Sequence, residues 1–379
     1  MENLYDIIGV SPSVSDEELD SAYKKLREKY GEERFQNGPA GEEAADKLEK
    51  LERAYSEIKR ARSEYKSYGQ DSEQAYAAIE EVLKNGDINK AQEMLDNLAK
   101  LAKEMQRELP GAVAAGINLE GPFINPFKRG AQQEESILPI DLEFARALID
   151  AGGGMVKVMT FAPELEKAAQ LVEFLIGCGV KPSMGHSIAN EEQTMRAIDA
   201  GASYCTHLFN GMPPLHQREM GLSSIALTDD RVTVELIIDG RHIHPRMVDL
   251  ACRCKTSSKL VGISDCTMAA GMPNGEYRIG PSMIRVKDGY SQTDQGILAG
   301  TTTMLDTGWH SLMSGGHLTA LQAASAVTSN PANAFQLKDR GLLLPNRRAD
   351  LAVYESNTNR PLLTVCNGRI VYRAEDRKK

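Results

Sequence analysis

The 379-residue sequence predicts an α/β protein, a TIM-like βα barrel with an all-α region before it and a few antiparallel strands after it. Three observations carry that expectation. Residues 16 to 108 are rich in Glu, Lys, Ala and Leu and place apolar residues at helical spacing (Leu19, Tyr23, Leu26, Tyr30; Leu48, Leu51, Tyr55, Ile58), without strand signals. From about residue 110, Gly and β-branched residues rise, and strand-like runs alternate with helical ones at 141–150, 164–177, 191–200 and 317–328. Finally, four apolar runs close on a side chain able to hold a cation or move a proton. AAGINLE (114–120) ends at Glu120, VKPSMGH (180–186) at His186, ASYCTH (202–207) at His207 and LVGISD (260–265) at Asp265. In a βα barrel, reactive groups sit where strands end and the following loops begin.

In chain order, the pattern divides into a helical region at 1–72, a helical connector at 73–110, a barrel at 111–338 and C-terminal strands with a tail at 339–379. Within the last part, GLLLPNRRADLAVYE and PLLTVCNGRIVY read as hairpin-rich, and Asn367-Gly368 is the signal of a type I′ turn. Composition narrows the function classes. An apolar content of 41% is enough for a large core, and no apolar run approaches the roughly 18 residues of a membrane span. The opening MENLYDII has neither the basic cluster nor the apolar stretch of a secretory signal, so a cytoplasmic location is expected. Six cysteines without paired spacing read as reduced. A net charge of −9 argues against nucleic acid as the main partner, whereas a small anion needs only local cations.

Two neutral imidazoles and one carboxylate, His186, His207 and Glu120, form a mixed N/O set suited to one Zn²⁺ or a similar divalent ion, with a position left open for water. Asp265 is placed to accept a proton from that water and return it to a leaving group. Arg218 offers a planar fork that matches phosphate oxygens, with His242 as a second donor. Plainer roles stand beside these: Asp265 capping a helix from Thr267, Arg218 pairing with Glu219, and His186 and His207 as hydrogen-bonded structural residues. His244, His310 and His317 read as structural, and Met155, Met159, Met184 and Met195 as core filler.

Two resemblances add to this. NLYDIIGVSPSVSDEELDSAYKKLREKY and RFQNGPAGEEAADKLEKLERAYSEI resemble a J domain over residues 3–69. Gly31-Glu32-Glu33 stands where that family carries the His-Pro-Asp that stimulates an Hsp70 ATPase, so the resemblance implies a helical packing or docking surface without Hsp70 stimulation. AYAAIEEVLKNGDINKAQEMLDNL (75–98), turning at Gly86, resembles one tetratricopeptide repeat, and one copy cannot stack into a solenoid.

LEGPFINPFKRGAQ, MGHSIAN, THLFNGMPPLHQREMG, IIDGRHIHP, ISDCTMAAGMPNGEYRIG and SNPANAFQLKDRGLLLPNRRADLAVY resemble, in order and spacing, the N-acetylglucosamine-6-phosphate deacetylases of the amidohydrolase superfamily, over residues 111–374. The resemblance implies metal ligation by Glu120, His186 and His207 and acid/base work by Asp265. It also implies substrate contacts at Ala131, Asn210, Gly211, Arg218, His242, Leu298, Ala299 and Gly300. The implied reaction is hydrolysis of the acetamide of N-acetylglucosamine 6-phosphate, by a homodimer. The chain departs from the family in lacking the sandwich strands and first barrel strands, including the His-x-His pair or its polar substitute; no His precedes His186, and Gln132 does not restore a second metal site. An incomplete barrel is therefore expected, with unpaired edges near 112–120 and 260–265 and with strands at 349–355 and 362–373 that have lost sandwich partners. Three origins fit: a fusion or mis-joined reading frame, a two-part protein whose helical segment or partner completes the barrel, or a catalytically dead fusion acting as a sugar-phosphate-binding or chaperone-linked module.

Overall fold

Helix α1 (Asp16–Glu33) starts with Asp16, Glu17 and Glu18, acidic side chains that complement the positive end of a helix dipole. Its Leu19, Tyr23, Leu26 and Tyr30 share one face, which packs with Leu51, Ala54 and Tyr55 of a helical stretch at 43–56 and with Ile8. The two helices run antiparallel: Arg27 reaches Glu52, while Asp20 accepts from Tyr55 and Lys59 further along. Tyr23 and Tyr55 stack at 3.7 Å. Gly31-Glu32-Glu33 lies inside the last turn of α1, so the helix runs straight through the position where the J-domain tripeptide would leave it.

The computed structural model describes residues 7–10, 16–35, 40–41, 43–56, 59, 88–107, 111–280, 282–355 and 360–374, and the chain falls into two units, Met1–Ala78 and Ile79–Lys379. Ile58 and most of the tetratricopeptide-like segment, Gly86 included, lie outside the described residues; from Ile88 that segment enters helix α2 (Ile88–Glu104), which packs on α3 (Leu142–Ala151).

The second unit is built on six parallel strands, β1 (Ile117–Glu120), β2 (Val156–Phe161), β3 (Lys181–Met184), β4 (Tyr204–Cys205), β5 (Thr233–Ile237) and β6 (Leu260–Ile263), side by side in chain order. Their register is level at one end: Glu120 lies opposite Thr160, Phe161 opposite Met184, Met184 opposite Cys205, and Ile237 opposite Ile263. Every strand therefore delivers its following loop to one rim. Helices fill the turns between strands for local reasons. Helix α4 (Ala168–Gly177) buries Leu171, Val172 and Leu175, and α5 (Glu191–Asp199) begins with an Asn190/Gln193 capping box. Helix α6 (Leu222–Thr228) is buried from Leu222 to Leu227. His244 caps α7 (Pro245–Cys254) by accepting from the Arg246 N–H, the structural role its position suggested.

Among the described residues β1 pairs with β2 alone, so the barrel is open there, as the sequence led us to expect. The far edge is partly covered. Helices α8 (Leu305–Ser314), α9 (Ala320–Val327) and α10 (Ser329–Ala334) pack on β6, and a Cys266–Thr301 bridge continues the parallel pairing beyond its end. One element was not foreseen, an antiparallel meander of β7 (Gly275–Ile279), β8 (Ser282–Lys287) and β9 (Tyr290–Gln292). Its signal was Asp288-Gly289, whose φ of 53° and 81° make the turn that joins β8 to β9. The C-terminal strands β10 (Leu351–Tyr354), β11 (Pro361–Cys366) and β12 (Arg369–Arg373) form a separate antiparallel sheet, turning at Asn367 (φ 49°) and Gly368 (φ 76°) as the Asn-Gly pair predicts.

Candidate active site

Glu120 ends β1, while His186, His207 and Asp265 each follow a strand end by two residues, so all four reach the same rim. His186, His207 and Asp265 all have left-handed backbones, with φ of 47°, 26° and 49°. For residues with a Cβ that conformation costs on the order of 1–3 kcal/mol and persists only where surroundings enforce it. The enforcement is visible. The Asn125 N–H donates to the His186 carbonyl at 2.9 Å, the His207 N–H donates to the buried Glu235 carboxylate at 3.1 Å, and the Thr301 N–H donates to the Asp265 carbonyl at 2.7 Å. Gly211 and Gly300 matter for the same reason. A Cβ on Gly211 would lie 2.9 Å from His186 Nδ1, and one on Gly300 2.8 Å from the Asp265 carbonyl.

The ring chemistry follows from one hydrogen bond. His186 Nδ1 sits 2.5 Å from the Lys128 carbonyl, which can only accept, so Nδ1 carries the proton and Nε2 presents a bare lone pair. That lone pair faces Glu120 Oε1 at 2.7 Å and His207 Nε2 at 3.0 Å, while Glu120 Oε1 and His207 Nε2 are 3.5 Å apart. Three electron-pair donors converge with their ligating atoms within 4.8 Å of one another. Such a cluster demands positive charge. Burial alone would raise Glu120, but the two imidazoles of His186 and His207 beside it outweigh burial and hold the carboxylate well below its ordinary range. Burial would likewise lower His207, yet the bond to Glu120 lifts it to about 9. A divalent ion satisfies all three donors at once: two imidazoles and a carboxylate suit Zn²⁺ or a similar metal, and bonds of about 2.0–2.1 Å at a tetrahedral angle set nitrogens roughly 3.3 Å apart, close to the separation found.

Beside this cluster, burial and the negative charge of Glu120 lift the Asp265 carboxyl above its usual value. No helix starts at Thr267, so Asp265 is not a cap. His242 donates its Nδ1 proton to Asp239 at 2.8 Å, with both side chains nearly out of water, which fixes the ring and leaves Nε2 as its remaining polar atom. Asn210 Nδ2 is bonded to the His207 carbonyl at 3.1 Å. Ala131 and Ala299 join a small apolar cluster with Ala269, Ile284, Val286 and Tyr277, and Leu298 bridges to Gln292 of β9. Arg218 is exposed on the loop between β4 and α6, and no ion pair joins it to Glu219 among the described residues. Of the methionines read as filler, Met159 and Met184 are fully buried and Met155 and Met195 partly so.

Residues that the sequence reading missed lie one layer out. Below the rim, Thr160, Ser183 and Thr206 form a buried hydroxyl chain. Glu235, Asp239, Glu164 and the Lys128 carbonyl hold the rim loops. Glu235 had a legible signal, a lone carboxylate inside the apolar run VTVELII.

An open parallel βα sheet with an imidazole and carboxylate donor set on its C-terminal rim defines a class of metal-dependent hydrolases, and the chain belongs to the amidohydrolase family, whose profile matches residues 69–371. Its similarities within that family are narrower. It is 34% identical to the N-acetylglucosamine-6-phosphate deacetylase of Bacillus subtilis (strain 168) over 289 residues, 76% of this chain and 72% of that protein. It is 35% identical to the N-acetylgalactosamine-6-phosphate deacetylase of Escherichia coli O157:H7 over 260 residues, 68% of this chain and 69% of that protein. Among solved structures it resembles a mutant N-acetyl-D-glucosamine-6-phosphate deacetylase of Mycobacterium smegmatis in complex with N-acetyl-D-glucosamine-6-phosphate, with a TM-score of 0.70 and 32% identity over 74% of each chain.

Proposed function

We propose that the chain is a metal-dependent deacetylase that hydrolyses the acetamide of N-acetylglucosamine 6-phosphate to glucosamine 6-phosphate and acetate, an amino-sugar catabolic step. The observation that carries this reading is the convergence of Glu120, His186 and His207 lone pairs beside the perturbed carboxyl of Asp265. Deacetylase relatives and a sugar-phosphate complex of a structural neighbour support it.

Glu120 Oε1, His186 Nε2 and His207 Nε2 hold the cation, which when bound supplies Lewis acidity and brings the pKa of water from about 16 toward about 7. Asp265 accepts the proton as water oxygen adds to the amide carbonyl carbon. It then passes that proton to the amine nitrogen as the C–N bond breaks, so the amine departs neutral with acetic acid, and the second water proton is lost from the acid to solvent to leave acetate. A carboxyl raised above its ordinary value is better matched to the second half of that cycle. Arg218 and His242 bind the sugar phosphate, His242 being oriented by Asp239. Asn210, Gly211, Ala131 and Leu298–Gly300 shape the sugar pocket.

The finer assignments are Zn²⁺ at one site, a homodimer and a cytoplasmic location. The J-like helices serve as a packing or docking surface that does not stimulate an Hsp70 ATPase. The deciding experiment measures acetate released from N-acetylglucosamine 6-phosphate and its galactosamine epimer by protein loaded with one equivalent of zinc. Release that disappears in Asp265→Asn supports the reading. Tight sugar-phosphate binding without release sinks it in favour of a binding module.

A further inference from the structure

Glu164 takes no part in the chemistry above, yet its carboxylate joins three loops of the rim. Oε1 accepts from Asn125 Nδ2 at 3.0 Å and from the Ile188 N–H at 2.7 Å, while Oε2 accepts from Ser187 Oγ at 2.7 Å. Glu164 follows β2, Asn125 the strand of Glu120, and Ser187 and Ile188 come directly after His186. Two of the three donor residues, Asn125 and Ser187, are fully buried, so their bonds to this carboxylate have no water to replace them. The backbone of the Asn125 loop grips His186 from both sides: the Asn125 N–H donates to its carbonyl, the Asn125 carbonyl accepts from the Lys128 N–H, and the Lys128 carbonyl fixes the proton on His186 Nδ1. All three contacts to Glu164 are donors, which suits a charged, acceptor-only group. Loss of water outweighs those donors and leaves the carboxyl raised above its ordinary value.

Resting on the metal-dependent reading above, we infer that Glu164 is a positioning residue: it clamps the loops after β1 and β3 so that His186 keeps its left-handed backbone and aims Nε2 at the cation. Ligand-orienting partners of this kind typically change metal affinity by about 10–100-fold when removed.

The test is titration of the metal-free protein with Co²⁺, reading affinity together with the visible absorption bands, which report coordination geometry. Glu164→Ala is expected to weaken Co²⁺ binding by about 10–100-fold and to alter the bands. Glu164→Gln, which keeps the shape and one acceptor oxygen, recovers most of the affinity. Leu175→Ala, a fully buried residue of the neighbouring α4, controls for mere destabilisation and keeps wild-type bands. Wild-type affinity and bands in Glu164→Ala overturn the inference, as does an equal loss in Leu175→Ala. If Glu164→Ala does not fold, Ser187→Ala replaces it: a smaller, several-fold weakening supports the clamp, and an unchanged titration overturns it. Acetate release by the unaltered chain is measured in parallel. Cobalt uptake without release defeats the deacetylase reading while Glu164 is still judged on affinity, and a chain that takes up no cobalt overturns both.

Discussion

Among the described residues of the helical unit, the ion pairs join exposed or half-exposed side chains, Arg27 with Glu52, Lys47 with Glu43, Lys50 with Asp46 and Lys59 with Asp20, over a small core of Ile8, Leu19, Leu51 and Ala54. In the α/β unit, by contrast, Glu235 is buried, Glu120 and Glu164 are partly so, and each is met by imidazole, hydroxyl or amide donors at a strand end. Exposed pairs contribute little to stability, so the first unit is held by its apolar face. Carboxylates drawn out of water cost several kcal/mol unless donors meet them, and their clustering on one rim marks the part of the molecule organised for chemistry rather than for folding.

That contrast can be broken by substitution. The largest effect belongs to Asp265→Asn, expected to lower acetate release by about 10²–10⁴-fold while zinc content and the thermal transition stay as they were; loss of the metal as well would make Asp265 a ligand instead. Next comes Leu51→Ala in the helical unit, expected to cost about 2–5 kcal/mol in urea unfolding followed by circular dichroism, with acetate release untouched. Chelation acts on the other unit. Withdrawing a cation held at about a hundredfold excess over its Kd removes about 2.7 kcal/mol, and scanning calorimetry should show only the α/β transition moving.

Smaller effects come from protons. Burial and the bond to Asp20 push Tyr55 from 10.0 up to about 12, so its stabilisation of the helical unit is full below pH 10 and fades as pH climbs toward 12. Asp20 is held below 3.8 by Tyr55 and then Lys59, so its contribution is present above about pH 4 and lost as pH falls through the lowered value. Urea midpoints measured across pH should decline at both ends, and Tyr55→Phe should flatten both declines. Least of all, Glu52→Gln removes a pair whose side chains are 60% and 51% exposed, and the urea midpoint should shift by no more than about 1 kcal/mol equivalent.

The sequence made the strand ends legible because Glu120, His186, His207 and Asp265 break apolar runs at the same place in each, and a charged group there has few bland uses. The Asn367-Gly368 turn was legible because its chemistry is local. What escaped depends on contacts across the chain: Glu164 meets donors 39 and 24 residues away, and nothing around it in sequence announces that meeting. The left-handed backbones at the two histidines and the aspartate were hidden for a similar reason, since their neighbours in sequence would favour ordinary strand geometry. β4 has only two residues and was found through the side chain that follows it rather than through its own pattern.

The outer margin of β1 carries a practical consequence. Residues 112–119 read Ala-Val-Ala-Ala-Gly-Ile-Asn-Leu, without a lysine, glutamate or proline to deter a neighbour, and Val113 is half exposed. Among the described residues no second strand covers the outer amides of β1, and an open strand edge is a template on which other molecules can order their own backbones, the more so as concentration rises. Association at that seam is expected to shorten shelf life at high concentration, and a single lysine introduced at Val113 should lengthen it, which light scattering over time would show.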